Sequence, residues 1–196
     1  MKCSDFLILP FSPTRFLIER FHDPKPVRIW NWIFRGLLVV WLVGLGFAGT
    51  GEGVRHWPLY LGWIALWLFP FSRINEIAIG FYKDAVQRYK GPPSRTKFTP
   101  IDRLELLAWA YLEAALQFGI LYFCVLPKDY FNPAFRSIID AVYFSAITIT
   151  TVGYGDIHPQ SSVAQVACIY ELAVGFTVIT FALGSYLATS LNKPNA

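Results

Sequence analysis

Four apolar stretches, each nearly free of charged residues, dominate the pattern of hydrophobic and polar positions along the chain. They cover residues 33–48, 57–71, 104–126 and 162–191. About twenty apolar residues in a helix cross the ~30 Å hydrocarbon layer of a bilayer, so stretches of this kind predict membrane-spanning helices. The fold class that follows is an all-α membrane protein with four transmembrane helices per subunit.

The second stretch is too short to cross a bilayer alone, and we expect its helix to continue past Pro70. Beyond the proline, apolar residues recur at helical spacing through residues 72–90, and the charged residues lie off that stripe. The pattern allows two courses for this segment. It is either a helix that leaves the membrane or one that lies along the inner face of the membrane.

Breaks in the apolar pattern divide the chain into parts. In the polar and aromatic leader we expect Pro24 and Pro26 to break any helix. Arg35 interrupts the first apolar stretch, and we expect its side chain to snorkel to the membrane surface. A Gly-Pro-Pro-Ser run at residues 91–94 predicts a linker. The predicted parts are a cytoplasmic N-terminal segment (1–30), an accessory pair of membrane helices (31–90), a linker (91–102) and a second membrane unit (103–191).

Composition and charge agree with a membrane location. The chain is 55% hydrophobic and 15% charged, whereas about a quarter of the residues of a soluble domain are charged. The net charge is +4, but most cations lie in the leader and in residues 72–103, and the opposite side carries only Arg55, Lys128 and Arg136. Because cations favour the cytoplasmic side, we expect a multi-pass protein of the plasma membrane with both termini in the cytoplasm. This distribution does not favour a nucleic-acid partner.

The segment between the last two apolar stretches carries the most specific signal. Residues 137–149 predict a short amphipathic helix, and its start, from Ser137 to Asp140, is similar to a capping box. Directly after it comes the string Thr-Thr-Val-Gly-Tyr-Gly-Asp at residues 150–156. With these residues the chain resembles the potassium channel superfamily, in which such a string is the selectivity filter that follows a re-entrant pore helix. The resemblance covers about residues 100–190.

The resemblance implies a role for each residue of the filter. Backbone carbonyls, together with the hydroxyl of Thr151, would replace the water shell of a potassium ion. Gly153 and Gly155 would supply backbone angles that other residues avoid. The ion-binding residues implied are Thr151, Val152, Gly153, Tyr154 and Gly155.

Residues around the filter have implied roles as well. Thr150 and Asp156 would support the filter and its outer mouth, and Tyr143 and Phe144 match the aromatic pair that packs around it in the family. From the same resemblance we expect Tyr143 to hydrogen-bond Asp156. Ile147 departs from the pattern, because some bacterial members carry a carboxylate there. Support behind the filter must then come from elsewhere.

One copy of the filter cannot surround an ion, and the family builds the ring from four. The loop at residues 49–56 is too short for a second pore helix within the chain. We therefore expect a homotetrameric pore in the lipid bilayer, with K⁺ as the permeant ion and no cofactor. An unknown regulatory partner stays open.

The fourth stretch contains the candidates for gating. Gly175 matches a glycine at which family members bend, and a hinge and simple close packing are equally open. Glu171 either hydrogen-bonds behind the pore helix, which we favour, or lines the cavity. For Glu113, in the third stretch, we expect Gln117 or a hydroxyl as partner. The possible gating or cavity residues are Glu171, Gly175, Phe176, Ile179 and Leu183.

The leading functional interpretation is a potassium-selective channel that passes ions down their gradient. The alternatives are a weakly selective cation channel and a non-conducting regulatory subunit of channel-like fold. An enzyme is disfavoured, because the sequence shows no Ser/His/Asp set, metal cluster or phosphate loop. No apolar stretch carries Arg or Lys at every third position, so a voltage-sensing helix is not predicted.

Overall fold

The computed structural model describes residues 24–47, 67–89 and 100–191, and these residues are almost wholly helical. A π-helical turn, Trp67–Phe71, leads into the second helix, and a 3₁₀ turn, Lys128–Tyr130, follows the third. The described α-helices are α1 (Pro24–Phe47), α2 (Ser72–Tyr89), α3 (Pro100–Val125), α4 (Ile138–Ile149) and α5 (Ser162–Leu191). Most of the leader, the second apolar stretch before Trp67 and most of the linker lie outside the described residues.

Among the described residues, two helices are long and apolar enough to cross a membrane. They are Leu104–Val125 in α3, with a mean hydropathy of 1.4, and Ser162–Gly184 in α5, with a mean hydropathy of 2.0. Trp32–Gly44 and Ile138–Ile149 are shorter apolar helical pieces. The helices predicted over residues 104–126, 137–149 and 162–191 are thus present, and the mostly helical character of the chain is confirmed.

Helix α1 begins at Pro24, so the prediction that Pro24 and Pro26 break any helix in the leader is wrong. Both prolines fall in the first turn, where backbone N–H groups have no partner within the helix, and a missing N–H costs little there. Farther along, Phe34 and Leu38 are buried against the rest of the protein. Val40 lies on the opposite, exposed face. This one-sided burial packs α1 against the other helices through a narrow stripe.

The chain passes through Pro70 without leaving helical geometry, as the sequence predicted. Pro70 lies inside the π-helical turn, which runs directly into α2 at Ser72. A proline ring clashes with the carbonyl four residues earlier in a regular α-helix, and a wider turn relieves that clash. The side-chain amide of Asn75 donates a hydrogen bond to the carbonyl of Phe71 at 2.9 Å, which supports this junction.

Helix α2 lies alongside α5 and runs parallel to it. Phe71 contacts Tyr170 near the start of α2, with ring centroids 6.1 Å apart. Tyr82 contacts Phe181 farther along, with centroids 5.3 Å apart. The same number of residues separates the two contacts in both helices, so the two helices run side by side in the same direction. The two courses open from the sequence, a helix that leaves the membrane and one that lies along its inner face, both stay predictions.

Helices α3, α4 and α5 form the main core. At Gly119 of α3 the backbone approaches α4 so closely that a Cβ atom would lie 2.9 Å from the Cα of Val142. Above this crossing, an aromatic cluster joins α3 to the loop before α4. In it, Phe131 lies 4.4 Å from Phe135, 5.3 Å from Phe144 and 5.6 Å from Tyr122 by ring centroids. These contacts fix the position of α4 between the two long helices.

A two-stranded antiparallel ladder joins the loop before α4 to the chain after the Thr-Val-Gly-Tyr-Gly string. Strand β1 is Phe131–Asn132 and strand β2 is His158–Pro159, with Asn132 opposite His158. The Gln160 N–H adds a hydrogen bond of 2.8 Å to the carbonyl of Tyr130. The string at residues 150–156 is therefore held at both ends, by α4 before it and by this ladder after it.

Candidate functional site

Helix α4 sets the direction in which the string at residues 150–156 begins. Ser137 caps the helix, and its hydroxyl accepts a hydrogen bond of 3.4 Å from the Asp140 N–H. The reciprocal bond of a capping box is displaced by one residue, because the Asp140 carboxylate accepts from the N–H of Arg136 at 2.8 Å. Desolvation, the largest single effect, opposes ionisation, but the hydrogen bonds from Arg136 and Ser137 and the charge of Arg136 together outweigh it and lower the pKa of Asp140. Asp140 is thus anionic at the positive end of the helix.

The backbone of the string alternates between ordinary and left-handed conformations. The φ angles are +59° at Thr151, +57° at Gly153 and +78° at Gly155. Glycine adopts such angles freely, whereas a β-branched residue such as threonine rarely does. Strain of this kind persists only where the surrounding structure holds it, and it concentrates at functional sites.

The amide groups of the string turn back towards α4. The N–H groups of Val152 and Gly153 both donate to the carbonyl of Ile147, at 2.9 and 3.1 Å, and the Thr151 N–H donates to Thr148 at 2.9 Å. Among the described residues, no carbonyl of Thr151, Val152, Gly153 or Tyr154 accepts a hydrogen bond. The amide groups of Thr151, Val152 and Gly153 are therefore satisfied, and the string offers a row of available acceptor oxygens.

The end of the string is fixed by a side-chain hydrogen bond. The Tyr143 hydroxyl donates to the Asp156 carboxylate at 2.8 Å, the pairing that the resemblance implied. This bond to a carboxylate raises the pKa of Tyr143. Phe144, the next residue, is buried in the aromatic cluster instead. The two aromatic residues thus act on opposite sides of α4, one at the exposed mouth and one in the core.

Behind the string, support comes from Tyr111 and from the backbone of Ile147. The Tyr111 hydroxyl of α3 donates a hydrogen bond to the carbonyl of Ile149, in the last turn of α4. The Ile147 side chain is buried, and its carbonyl accepts the two amides described above. A carboxylate at position 147 is therefore not needed to connect α4 to the string.

Glu171 of α5 lies behind α4 and is fully buried. Its carboxyl group meets the Tyr122 hydroxyl of α3 at 2.7 Å and the Ser145 hydroxyl of α4. Ser145 also lies 2.8 Å from the carbonyl of Ala115 in α3. Of the two positions open from the sequence, the structure shows the hydrogen-bonded one, with Glu171 behind α4.

Glu113 has a different partner from the one predicted. Arg73 of α2 donates to its carboxylate at 2.6 Å through Nε, and Arg35 of α1 lies 3.9 Å away. The expectation of Gln117 or a hydroxyl is therefore wrong, and within the described residues the Gln117 amide has no hydrogen-bond partner. The Arg35 guanidinium lies over the ring of Trp109, 5.0 Å from its centroid, and its reach to the membrane surface stays a prediction. An ion cluster thus joins the accessory helices to α3.

The remaining candidates lie on α5. A Cβ atom at Gly175 would lie 2.7 Å from Cγ1 of Ile149, so this glycine packs closely against the end of α4. A hinge there stays a prediction. Within one chain the predicted cavity stripe is exposed, with Phe176 at 73%. The other two members of the stripe, Ile179 and Leu183, are exposed as well.

Sequence reasoning did not single out Tyr111, Tyr122 and Ser145. All three contribute hydroxyl groups from otherwise apolar segments. Tyr111 hydrogen-bonds the carbonyl of Ile149 in α4, Tyr122 hydrogen-bonds Glu171 in α5, and Ser145 of α4 hydrogen-bonds the carbonyl of Ala115 in α3. The available signal was the isolated acid Glu171, since a buried carboxyl group must find polar partners on neighbouring helices.

Comparison with known proteins identifies residues 110–189 with a family of ion channels. Over 62 residues the chain is 45% identical to the hyperpolarization-activated voltage-gated potassium channel of Methanocaldococcus jannaschii, covering 32% of this chain and 26% of that protein. It is 40% identical over 68 residues to the voltage-gated potassium channel Kch of Escherichia coli, covering 35% of this chain and 15% of that protein.

A plant relative gives the same result. The chain is 30% identical over 89 residues to the two pore potassium channel c of Oryza sativa subsp. japonica, covering 44% of this chain and 20% of that protein. The aligned segment thus spans only 15% to 26% of the lengths of these three relatives. No solved structure gives a significant match. The matches confirm the resemblance stated from the sequence and indicate a channel rather than an enzyme.

Proposed function

We propose that the chain is one subunit of a potassium-selective channel, because residues 110–189 match a family of ion channels and the chain is similar to potassium channels. The observation that carries the proposal is the backbone of residues 151–155, in which alternate residues have positive φ. This conformation leaves the carbonyl oxygens without partners among the described residues. Such oxygens can replace the water shell of a potassium ion.

The binding mechanism rests on oxygen atoms that are already held in place. The Val152 and Gly153 amides are bound to Ile147, and the chain after Gly155 is fixed through Asp156. Because the backbone is fixed before an ion arrives, little ordering is needed on binding. Helix α4 ends at Ile149, directly before the filter, and its C-terminus contributes a partial negative charge that favours a cation.

A homotetramer is part of the proposal, because one chain supplies too few oxygen atoms to surround an ion and potassium channels build this filter from four copies. Each chain offers one carbonyl at each level of the filter, so several chains must contribute to one site. In a single chain the Tyr154 side chain is 71% exposed, and Phe176 and Val152 are exposed too. Exposed apolar groups of this size favour coverage by neighbouring copies. Four copies of Asp156 would then raise the local cation concentration at the mouth.

The placement in the plasma membrane is part of the proposal. Helix α3 and helix α5 cross the bilayer, and α4 enters from the outer side. The 24 residues of α1 give a length of about 36 Å at 1.5 Å per residue, enough to cross as well. With the second apolar stretch and its continuation through Pro70 as the remaining span, both termini are cytoplasmic, in agreement with the distribution of cations.

The proposal is tested with purified protein reconstituted in liposomes that contain potassium. A channel releases potassium when the membrane potential is clamped, and the Gly153→Ala variant, strained at φ +57°, releases far less. Cross-linking in the same liposomes should give a tetramer. A tetramer without flux for the unaltered chain would instead support the non-conducting regulatory subunit.

A further inference from the structure

Ser145 is placed between two oxygen atoms that both accept hydrogen bonds when Glu171 is ionised. Its hydroxyl lies 2.8 Å from the carbonyl of Ala115 and also contacts the Glu171 carboxyl group. A serine hydroxyl has one hydrogen to donate. With an ionised Glu171, one of these two close contacts would therefore have no hydrogen between its oxygen atoms.

A proton on Glu171 satisfies every contact at once. A protonated carboxyl group has one O–H donor and keeps a carbonyl acceptor. The Glu171 O–H then donates to Ser145, the Ser145 hydroxyl donates to Ala115, and the Tyr122 hydroxyl donates to the other oxygen of Glu171 at 2.7 Å. The chain of bonds runs in one direction from α3 through α5 and α4 back to α3.

The surroundings of Glu171 differ from those of the other buried acid. Glu113 is held by Arg73 at 2.6 Å, with Arg35 nearby. Among the described residues, no arginine, lysine or histidine forms an ion pair with Glu171. The titratable groups that face it are Tyr122 and Tyr111 of α3 and Cys168 of its own helix, none of them cationic. Burial of an unpaired carboxylate is costly, and such a group is neutral instead.

We propose that Glu171 carries a proton at neutral pH and, through Ser145, positions α4 behind the filter. The clamp joins all three helices of the core, with Tyr122 and Ala115 on α3, Ser145 on α4 and Glu171 on α5. Glu171 touches no filter residue in these contacts and acts through α4. This positioning role rests on the proposed function, whereas the protonation state can be measured without any ion flux.

Infrared spectroscopy of the reconstituted protein tests the proton directly. A protonated carboxyl group gives a C=O stretching band that a carboxylate lacks. We expect this band in the unaltered chain at neutral pH, its loss in Glu171→Gln, and its retention in Glu113→Gln, which removes the arginine-paired acid of similar burial. Absence of the band from the unaltered chain, or its persistence in Glu171→Gln, would overturn the proposal.

A second variant keeps the test decisive if Glu171→Gln does not fold. Tyr122→Phe removes the hydroxyl that donates to the Glu171 carbonyl, so the band should move to higher frequency. A band that stays in place would show that the protonated group is not Glu171.

Selectivity separates positioning from simple burial. Glutamine matches the protonated acid, because its amide N–H can donate to Ser145 and its carbonyl can accept from Tyr122. Glu171→Gln should therefore keep potassium selectivity, while Glu171→Leu, of similar volume but without polar atoms, should lose it. Equal selectivity in both variants would contradict the positioning role even if the infrared band is found. Absence of potassium flux through the unaltered chain would instead count against the proposed function and would leave the infrared result unaffected.

Discussion

Replacement of Gly119 by alanine should destabilise the protein, because it forces α3 and α4 apart. A Cβ atom at this position would lie 2.7 Å from Cγ2 of Val142 and 2.9 Å from its Cα. Carbon atoms pack at about 3.5 Å or more, so the two backbones would have to separate by about 0.6 Å. A side-chain rotation cannot relieve this contact, since the Cα of Val142 belongs to the backbone of α4.

The magnitude follows from comparison with a matched variant. At Gly36 of α1, nothing lies within 4 Å of the added atom. Alanine in place of helical glycine gains about 1 kcal/mol of helix propensity in both variants, so this gain cancels in the comparison. Overpacking costs typically 1–3 kcal/mol, and that cost remains as the difference between Gly119→Ala and Gly36→Ala.

Thermal unfolding of the purified protein in detergent measures the difference. At about 2–4 °C per kcal/mol for a chain of this size, the midpoint of Gly119→Ala should lie roughly 2–12 °C below that of Gly36→Ala. Gly175→Ala should fall between them, since its added atom meets the adaptable side chain of Ile149. A midpoint for Gly119→Ala equal to or above that of Gly36→Ala would refute the close approach of α3 and α4.

Two further predictions concern charged groups. Arg73→Met leaves the buried Glu113 without its nearest cation and should lower the free energy of unfolding by about 3–5 kcal/mol. Arg136→Met, at an exposed ion pair, should lower it by less than about 1 kcal/mol. Equal losses in the two variants would exclude a structural role for the buried pair. Tyr143→Phe removes the donor and Asp156→Ala removes the acceptor of the bond at the filter mouth, so the end of the string loses this contact and the potassium current of each variant should decay faster. The current of the double variant should decay no faster than that of either single variant. Additive effects on the decay rate would mean that the two groups act separately.

The core elements could be predicted from the sequence because their signals are local. Helix α5 begins at Ser162 and ends at Leu191, as expected from the apolar stretch. Helix α4 and its cap at Ser137 follow from a short apolar segment with a polar start. The string after α4 is specific enough to indicate both the conformation of Gly153 and Gly155 and the family.

The start of α1 was missed because proline has two opposite meanings in a helix. In the interior it breaks hydrogen bonds, but in the first turn it fits well. Since Pro24 and Pro26 stand at the beginning of an apolar helix, they mark its start rather than an interruption. Only the position of the helix, which the local sequence does not fix, decides between the two.

Long-range contacts were the part that the sequence could not provide. Glu113 and Arg73 are 40 residues apart and lie on different helices, and no periodicity links them. The close approach at Gly119 has the same origin, because a glycine in an apolar helix shows no sign of what packs against it. Buried acids and arginines in neighbouring apolar stretches are the signal that should prompt a search for such pairs.

The central claim is that carbonyl oxygens of residues 151–154 from several copies of the chain select potassium. The most direct test is the reversal potential of the purified protein in a planar bilayer, with potassium on one side and sodium on the other. We predict a value close to the potassium equilibrium potential, lost in Gly153→Ala. A robust current that reverses near zero would contradict selection of potassium by this filter.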